Sequence, residues 1–391
     1  MASADMPPID ADVLCFSHLR WAFVYQRPQH LMSRYARGQR VFYIEEPVRT
    51  DAATATWAIS SHDGVTVAVP MLPETMSASA ITDTLRELVD RLIAQEGLLR
   101  YVAWYYTPAA LTFTAHLQPV AVVYDCMDEL SAFKGADASL PMLEARLLAR
   151  ADVVFTGGHA LYEAKRHLHE NIHAVPSSVD TKHFAAARTI TESPADQREV
   201  PSPRLGFFGV LDERLDVALL AGLAEARPTY HFVMVGPVVK IDPAELPRAP
   251  NIHYLGPKTY QELPSYLAGW DVALLLFALN DATRYISPTK TPEYLAAGKA
   301  VVSTPIRDVV RTYGERGLVR FAYDVDSFAR CCDAALTEPP DARRVQADIF
   351  LRTTSWDLTW ARTLALVHQA IGMAPLGAAT MPADIFEARN V

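Results

Sequence analysis

The sequence predicts an α/β protein of two doubly wound, parallel-sheet domains. Three observations carry that expectation. At 391 residues the chain exceeds what one hydrophobic core usually covers, so it should divide in two. Both halves alternate short β-rich runs with helical stretches, which is the rhythm of repeated βαβ units. Between them lies a polar region, Ala185–Ser202, with two prolines, the composition of an interdomain linker.

In the first half the expected strands are Val13–Ser17, Val41–Glu45, Val65–Pro70, Tyr101–Tyr105, Val120–Asp125 and Asp152–Thr156. The clearest helices are Ala80–Gln95, Pro141–Arg150 and Ala160–Glu170, and the stretch Glu46–Asp63 has no legible pattern. In the second half strands are expected at Arg204–Phe208, His231–Val235 and Ile252–Leu255, with an edge strand at Leu318–Phe321. Helices are expected up to about Ala226 and at Tyr260–Ala268, Val325–Leu336 and Arg343–Arg352. Ser355 is a good N-cap for a last helix running to about Ile371.

Half the residues are hydrophobic, a fifth are charged and the net charge is −9. That is ordinary for a soluble globular enzyme and speaks against a nucleic-acid binder. The start, MASADMPPIDADVL, has neither a basic n-region nor an apolar h-region, so no signal peptide is expected. No apolar run approaches the ~20 residues of a membrane span. Cys15, Cys126, Cys331 and Cys332 show no metal spacing, and sequence neighbours rarely bridge. Reduced thiols and a cytoplasmic location are expected.

The most informative stretch is DVALLLFALNDATRYISPTKTPEYLAAGKAVVSTP, residues 271 to 305. The apolar run Asp271–Leu279 suits one buried strand, and a polar loop, Asn280–Ser287, follows it. Pro288 and Thr289 open a helix carrying Lys290 and Glu293 in its first turn, Gly298 stops it, and Lys299–Ser303 form the next strand. In such sheets ligands bind outside the strand carboxyl ends, where this loop lies. A helix start attracts phosphate; Ser287 and Thr289 add hydroxyl donors and Lys290 a full positive charge. Glu293 accepts only, which suits the paired hydroxyls of a ribose. Cation, amides and carboxylate together describe a sugar-nucleotide pocket; the competing reading is a well-capped helix whose Glu293 only complements the dipole.

SPTKTPEYLAAGKAVVSTP resembles the donor-site segment of GT-B glycosyltransferases of the GT4-like group. The resemblance implies two Rossmann-like domains facing a cleft. The acceptor domain would be residues 1–185, rejoined by a C-terminal helix at 355–372, and the donor domain 200–354, leaving a loosely held tail at 373–391. It also implies that Glu293 binds the donor ribose. A second Glu, eight positions earlier in many members, is here Tyr285, which leaves the sugar end of the site and the stereochemical outcome open. VPSSVDTKHF, from Val175 to Phe184, is similar to the P-x-G-V-D-x-x-x-F signature between the domains, with Ser178 in place of Gly. The W-x-x-x-x-Q-R-P-Q-H-L pattern around Pro28 is similar to a bacterial subgroup of envelope and exopolysaccharide enzymes.

Other site residues follow from these two lines. Gly209 opens the loop GVLDERLD and lets an anion approach the backbone. Arg214 in that loop is the diphosphate candidate, with Arg284 as its rival and a surface ion pair to Asp212 or Glu213 as the bland alternative. Gly236 and Gly256 end strands on the ligand side. His18, Arg27, Gln29, His30 and His159 are candidates for the acceptor side of the cleft, and Arg27 for the donor phosphates. Asp125, at a strand end, is the first choice of general base and Asp128 the second. No metal and no cofactor are expected, the nucleotide sugar being substrate. Arg20, Arg27, Arg34, Arg37 and Arg40 suggest a basic face for an anionic membrane surface, with a solvated helix face as the alternative.

The expected activity is therefore transfer of a sugar from a nucleotide-diphosphate sugar, UDP first, to a hydroxyl of a glycan or lipid-linked acceptor. A sugar-nucleotide epimerase and a non-catalytic sugar-nucleotide binder are the other classes.

Overall fold

The computed structural model describes residues 7–372, so the tail expected at 373–391 lies outside the described residues. The first sheet is built from β1 (Asp12–Phe16), β2 (Val41–Ile44), β3 (Val48–Thr50), β4 (Thr56–His62), β5 (Val65–Pro73), β6 (Tyr101–Tyr105), β7 (Ala121–Cys126), β8 (Val153–Thr156) and β9 (Ile172–Ala174). Its order is β3-β5-β2-β1-β6-β7-β8-β9, with β4 added beside β5. The second contains β10 (Arg204–Phe208), β11 (His231–Val235), β12 (Ile252–Gly256), β13 (Val272–Leu275), β14 (Ala300–Ser303) and β15 (Arg320–Phe321), in the order β12-β11-β10-β13-β14-β15. Central strands such as YVAWY and VALL are buried throughout, because helices cover both faces of a parallel sheet.

Three departures from expectation have local causes. The unpatterned stretch after Glu46 holds β3 and β4, and β4 runs antiparallel to β5 on the outer edge. Most of β4 is exposed, so no alternation of buried residues marks it in the sequence. The helix expected to reach Glu170 stops at Lys165. The run from Asp271 to Leu279 gives the sheet only Val272–Leu275. Leu276 and Phe277 leave it to bind the neighbouring loop, with Asp216 N donating to Leu276 O (2.9 Å) and Leu215 bridging Phe277.

The expected linker is packed, not loose. Gln197 is fully buried, takes a hydrogen bond from Trp270 Nε1 (2.8 Å) and donates to Tyr266 O (3.1 Å). Arg188 donates to Ala296 O (2.7 Å) and pairs with Asp348 (2.6 Å). Ser355 caps the last helix through Leu358 N (3.2 Å), and that helix, Trp356–Ala370, packs back on the helix Arg27–Tyr35 and on β7 and β8. Trp356 is wholly buried and stacks on His30 at 4.5 Å. Tyr260 of the second half stacks on His183 (4.2 Å) and on Tyr25 (4.6 Å), so aromatic faces join the two halves at the crossover.

Candidate active site

In each sheet the strand order reverses at one place, between β1 and β6 and between β10 and β13. Crevices outside the carboxyl ends of such strand pairs are where ligands bind. On the second sheet the crevice is walled by the loop after β10 and the loop after β13. Ala278 N donates to Arg214 O (2.8 Å) and Asn280 Nδ2 to Glu213 O (3.3 Å), which fixes the two loops as one surface.

Lys290 rises through this crevice. Its Nζ lies 5.5 Å from the Phe207 ring centroid and 5.6 Å from that of Phe277, and it makes no ion pair among the described residues. A Cβ on Gly209 would meet Lys290 Nζ at 2.6 Å, and one on Gly236 would meet Gly209 O at 1.9 Å. The two glycines, both at positive φ, therefore make room for the ammonium. Gly256, at φ 70° with open space around its Cα, accepts Gly236 N through its carbonyl (2.9 Å). Burial and nearby Arg214 bring the Lys290 pKa down to about 8.

One turn on, Glu293 is 5% exposed and accepts no hydrogen bond from any described residue. Burial raises its pKa to about 8, only partly offset by Lys290. A buried carboxylate without a donor is costly unless something else supplies one. Thr291 Oγ1, also buried, lacks a partner as well. Thr289 stands at the N-cap position without a capping bond from its side chain, and Ser287 lies against Gly158 of the first half, where a Cβ would come within 2.7 Å of it.

Arg214 is paired with Asp212 (2.6 Å), the bland alternative, yet its guanidinium also lies 5.5 Å from the ring of Phe133 in the first half. Lys240 approaches the same ring at 5.0 Å. Beside them, in the loop after β7, stands Asp128, partly exposed and, among the described residues, without a hydrogen bond to its carboxylate. Desolvation lifts its pKa to about 6, against the pull of Arg214 and with a push from Asp212. His18 is held near the same face, and burial lowers its pKa to about 4, so it is neutral there. Arg284 is exposed, its guanidinium 5.4 Å from the Tyr285 ring, while Tyr285 packs against the first core.

Four expected cleft residues are elsewhere. Asp125 is fully buried and bound by Arg27 Nε at 3.0 Å and Nη2 at 2.9 Å, and Arg27 also donates to Val175 O (2.8 Å). Both are buried, and the pair ties the first helix to β7 and to the crossover. Gln29 is buried and donates to Trp21 O (2.8 Å) and Val24 O (3.0 Å), shaping its own loop. His30 is sandwiched at the crossover, where burial holds its pKa well below the usual value. An Asp125→Ala variant should lose about 3–5 kcal/mol of stability, because it strands a buried guanidinium; urea denaturation measures it.

The basic face is also neutralised. Arg34 and Arg37 share Asp357 (2.8 and 3.3 Å), Arg40 pairs with Asp12 (2.6 Å), and Arg20 with Glu45 (3.0 Å). Among the described residues no helix is long and apolar enough to cross a membrane.

His159 lies where the halves meet, and its role is carried by its backbone. Its N–H and that of Ala160 donate to Asp308 of the second half at 2.7 and 2.8 Å, while Arg307 pairs with Glu163 (2.5 Å). Gly158 admits this contact, since a Cβ there would sit 2.1 Å from Asp308 Oδ2. Nothing in the sequence singles out Asp308 except its place just beyond β14. Phe133 and Lys240 carry no sequence signal at all; only the facing of the two sheets brings them together. An Asp308→Ala variant should hold the halves less firmly. Small-angle scattering of the ligand-free protein is expected to show a larger radius of gyration than wild type.

Residues 202–338 match the family model described as Glycosyl transferases group 1. This segment is similar to that family. It covers β10 to β15 and every second-half residue of the crevice. TuaH of Bacillus subtilis (strain 168), a glycosyltransferase assigned by its name to teichuronic acid biosynthesis, is 28% identical over 241 residues. That match covers 56% of this chain and 59% of the relative's length. Sucrose-phosphate synthase from Thermosynechococcus elongatus superposes with a TM-score of 0.67 at 13% identity, over 93% of this chain and 99% of that one. Anabaena Alr3699/HepE, solved in complex with UDP and glucose, does so with a TM-score of 0.67 at 12% identity, over 92% and 100%. The fold is GT-B: two Rossmann-like sheets facing a cleft, with the last helix returning to the first.

Proposed function

We propose that this chain is a glycosyltransferase that moves a sugar from a nucleotide-diphosphate sugar, UDP first, to a hydroxyl of a glycan or lipid-linked acceptor in envelope polysaccharide synthesis. The observation that carries the reading is the buried pair at the β10/β13 crevice, the Lys290 ammonium and the Glu293 carboxylate, neither of which has an ion-pair or hydrogen-bond partner among the described residues. Lys290, with Arg214 beside it, meets the diphosphate; Ser287 and Thr289 add hydroxyl donors; Glu293 takes the ribose hydroxyls. The complex of Alr3699/HepE with UDP and glucose supports a uridine nucleotide, and the name of TuaH supports an envelope acceptor.

As the bond between sugar and phosphate breaks, negative charge grows on the departing diphosphate. Lys290 and Arg214 stabilise that charge in a site from which closure excludes water. The acceptor hydroxyl loses its proton to Asp128, which approaches from the opposite sheet and is ionised at neutral pH.

A thermal-shift panel of UDP, GDP, ADP and dTDP sugars tests the reading. A ligand at 100 times its dissociation constant should add about 2.7 kcal/mol of stability. Silence across the panel would overturn the assignment. Product analysis then separates transfer (a glycoside), epimerisation (an altered donor) and binding alone (neither).

A further inference from the structure

Beneath the Asp128 loop lies a charged cluster that substrate does not reach. Lys165, at the end of the helix His159–Lys165, is 5% exposed. Its ammonium contacts Glu144 Oε1 at 2.7 Å, Glu144 Oε2 at 2.6 Å and Glu129 Oε2 at 2.7 Å. Glu144 comes from the helix Leu140–Arg150 and also accepts from Tyr124 OH (2.7 Å). Stability alone does not favour this arrangement: one ammonium against two carboxylates leaves excess negative charge in a poorly solvated place. The Lys165–Glu144 pair would be complete without Glu129.

Glu129 is the residue after Asp128, and its second oxygen accepts from Ser131 Oγ (2.6 Å). The residue before Asp128 is also fixed. A Cβ on Gly157 would lie 2.3 Å from Met127 O and 2.8 Å from its Cα, so the backbone of 127 rests on that glycine. Cys126 Sγ donates to Asp128 O at 3.6 Å. Asp128 itself has no side-chain bond to hold it. Its carboxylate is aimed only by a backbone pinned on both sides, and farther along the same loop Phe133 meets Arg214 and Lys240.

We propose that Lys165 and Glu129 are positioning residues: their ion pair sets the loop that presents the Asp128 carboxylate to the cleft. The inference rests on the role given to Asp128 above. The groups that face that carboxylate are Arg214, Asp212, Arg27 and Lys290, and a loosened loop would take it away from all four.

The test is the variant Glu129→Ala, which leaves the Lys165–Glu144 pair intact, read in the ligand-free protein. Carboxyl-carbon NMR follows the Asp128 titration, with Asp128→Asn identifying the resonance. The midpoint is expected to fall from about 6 toward the ordinary aspartate value of about 4, with the melting temperature unchanged. Glu129→Gln, which keeps an oxygen for Lys165, should restore most of the shift. An unmoved midpoint in Glu129→Ala overturns the proposal. In the transfer assay Glu129→Ala should lower kcat tenfold or more, and Asp128→Asn/Glu129→Ala should lose no more than Asp128→Asn alone; a further loss in the double variant also overturns it. If Asp128→Asn keeps full rate, the assignment of the base fails, while the titration still decides whether the pair positions the loop.

Discussion

Asp128→Asn is expected to lower kcat by about 10²–10⁴-fold while leaving donor affinity nearly unchanged. The substitution keeps the shape of the side chain and removes only its ability to take a proton. No hydrogen bond to the carboxylate is made among the described residues, so little stability should be lost with it. The same residue fixes the acid side of the pH profile. Its pKa near 6 means that the basic form predominates above pH 6, and kcat/KM should fall tenfold per unit below that. Steady-state kinetics from about pH 5 to about pH 9 read both effects. A rate that survives the substitution, or an acid limb still present in Asp128→Asn, would assign the proton to another group.

Lys290→Ala should reduce kcat/KM by about 10²–10³-fold, the usual cost of removing one group that faces the charge developed in the transition state. Donor binding should weaken as well, since the ground-state diphosphate already carries charge. The wild-type ammonium lies near the Phe207 and Phe277 rings and makes no ion pair among the described residues, and burial with Arg214 holds its pKa near 8. Free enzyme therefore loses this positive charge as pH rises through 8, and kcat/KM should decline there. Bound diphosphate favours the protonated form, so the limb in kcat should lie at higher pH than the limb in kcat/KM. Donor binding above pH 8 should then be accompanied by proton uptake, which titration calorimetry in buffers of different ionisation enthalpy measures. Coincident limbs would show that the diphosphate does not contact Lys290.

The parts of the site that the sequence disclosed are those in which neighbours along the chain act together. Lys290 and Glu293 are three residues apart on one helix face, and Gly209 and Arg214 belong to one loop, so local spacing places them. Asp125 and Asp128 show the opposite case. Both follow the same strand and both are carboxylates, but one points into the core and meets Arg27, 98 positions away, while the other faces the cleft. Nothing within β7 and its loop separates the two, because the partner that decides lies on another element. The partner of two arginines of the first helix region, Arg34 and Arg37, was hidden for the same reason. Their partner, Asp357, arrives from the last helix, more than 300 positions along the chain.

By itself, the sequence determined the class of fold, the order of most strands and helices, and the local shape of the crevice after β10 and β13. These depend on hydrophobic periodicity, caps and glycines, which act over a few residues. Only the tertiary structure decided which charges are paired, which half of the cleft Asp128, Phe133 and Lys240 address, and how Asp308 joins the sheets. Those outcomes turn on burial and on contacts between elements distant in sequence, where the partner, and not residue type, determines whether a carboxylate is tied into the core or left facing the cleft.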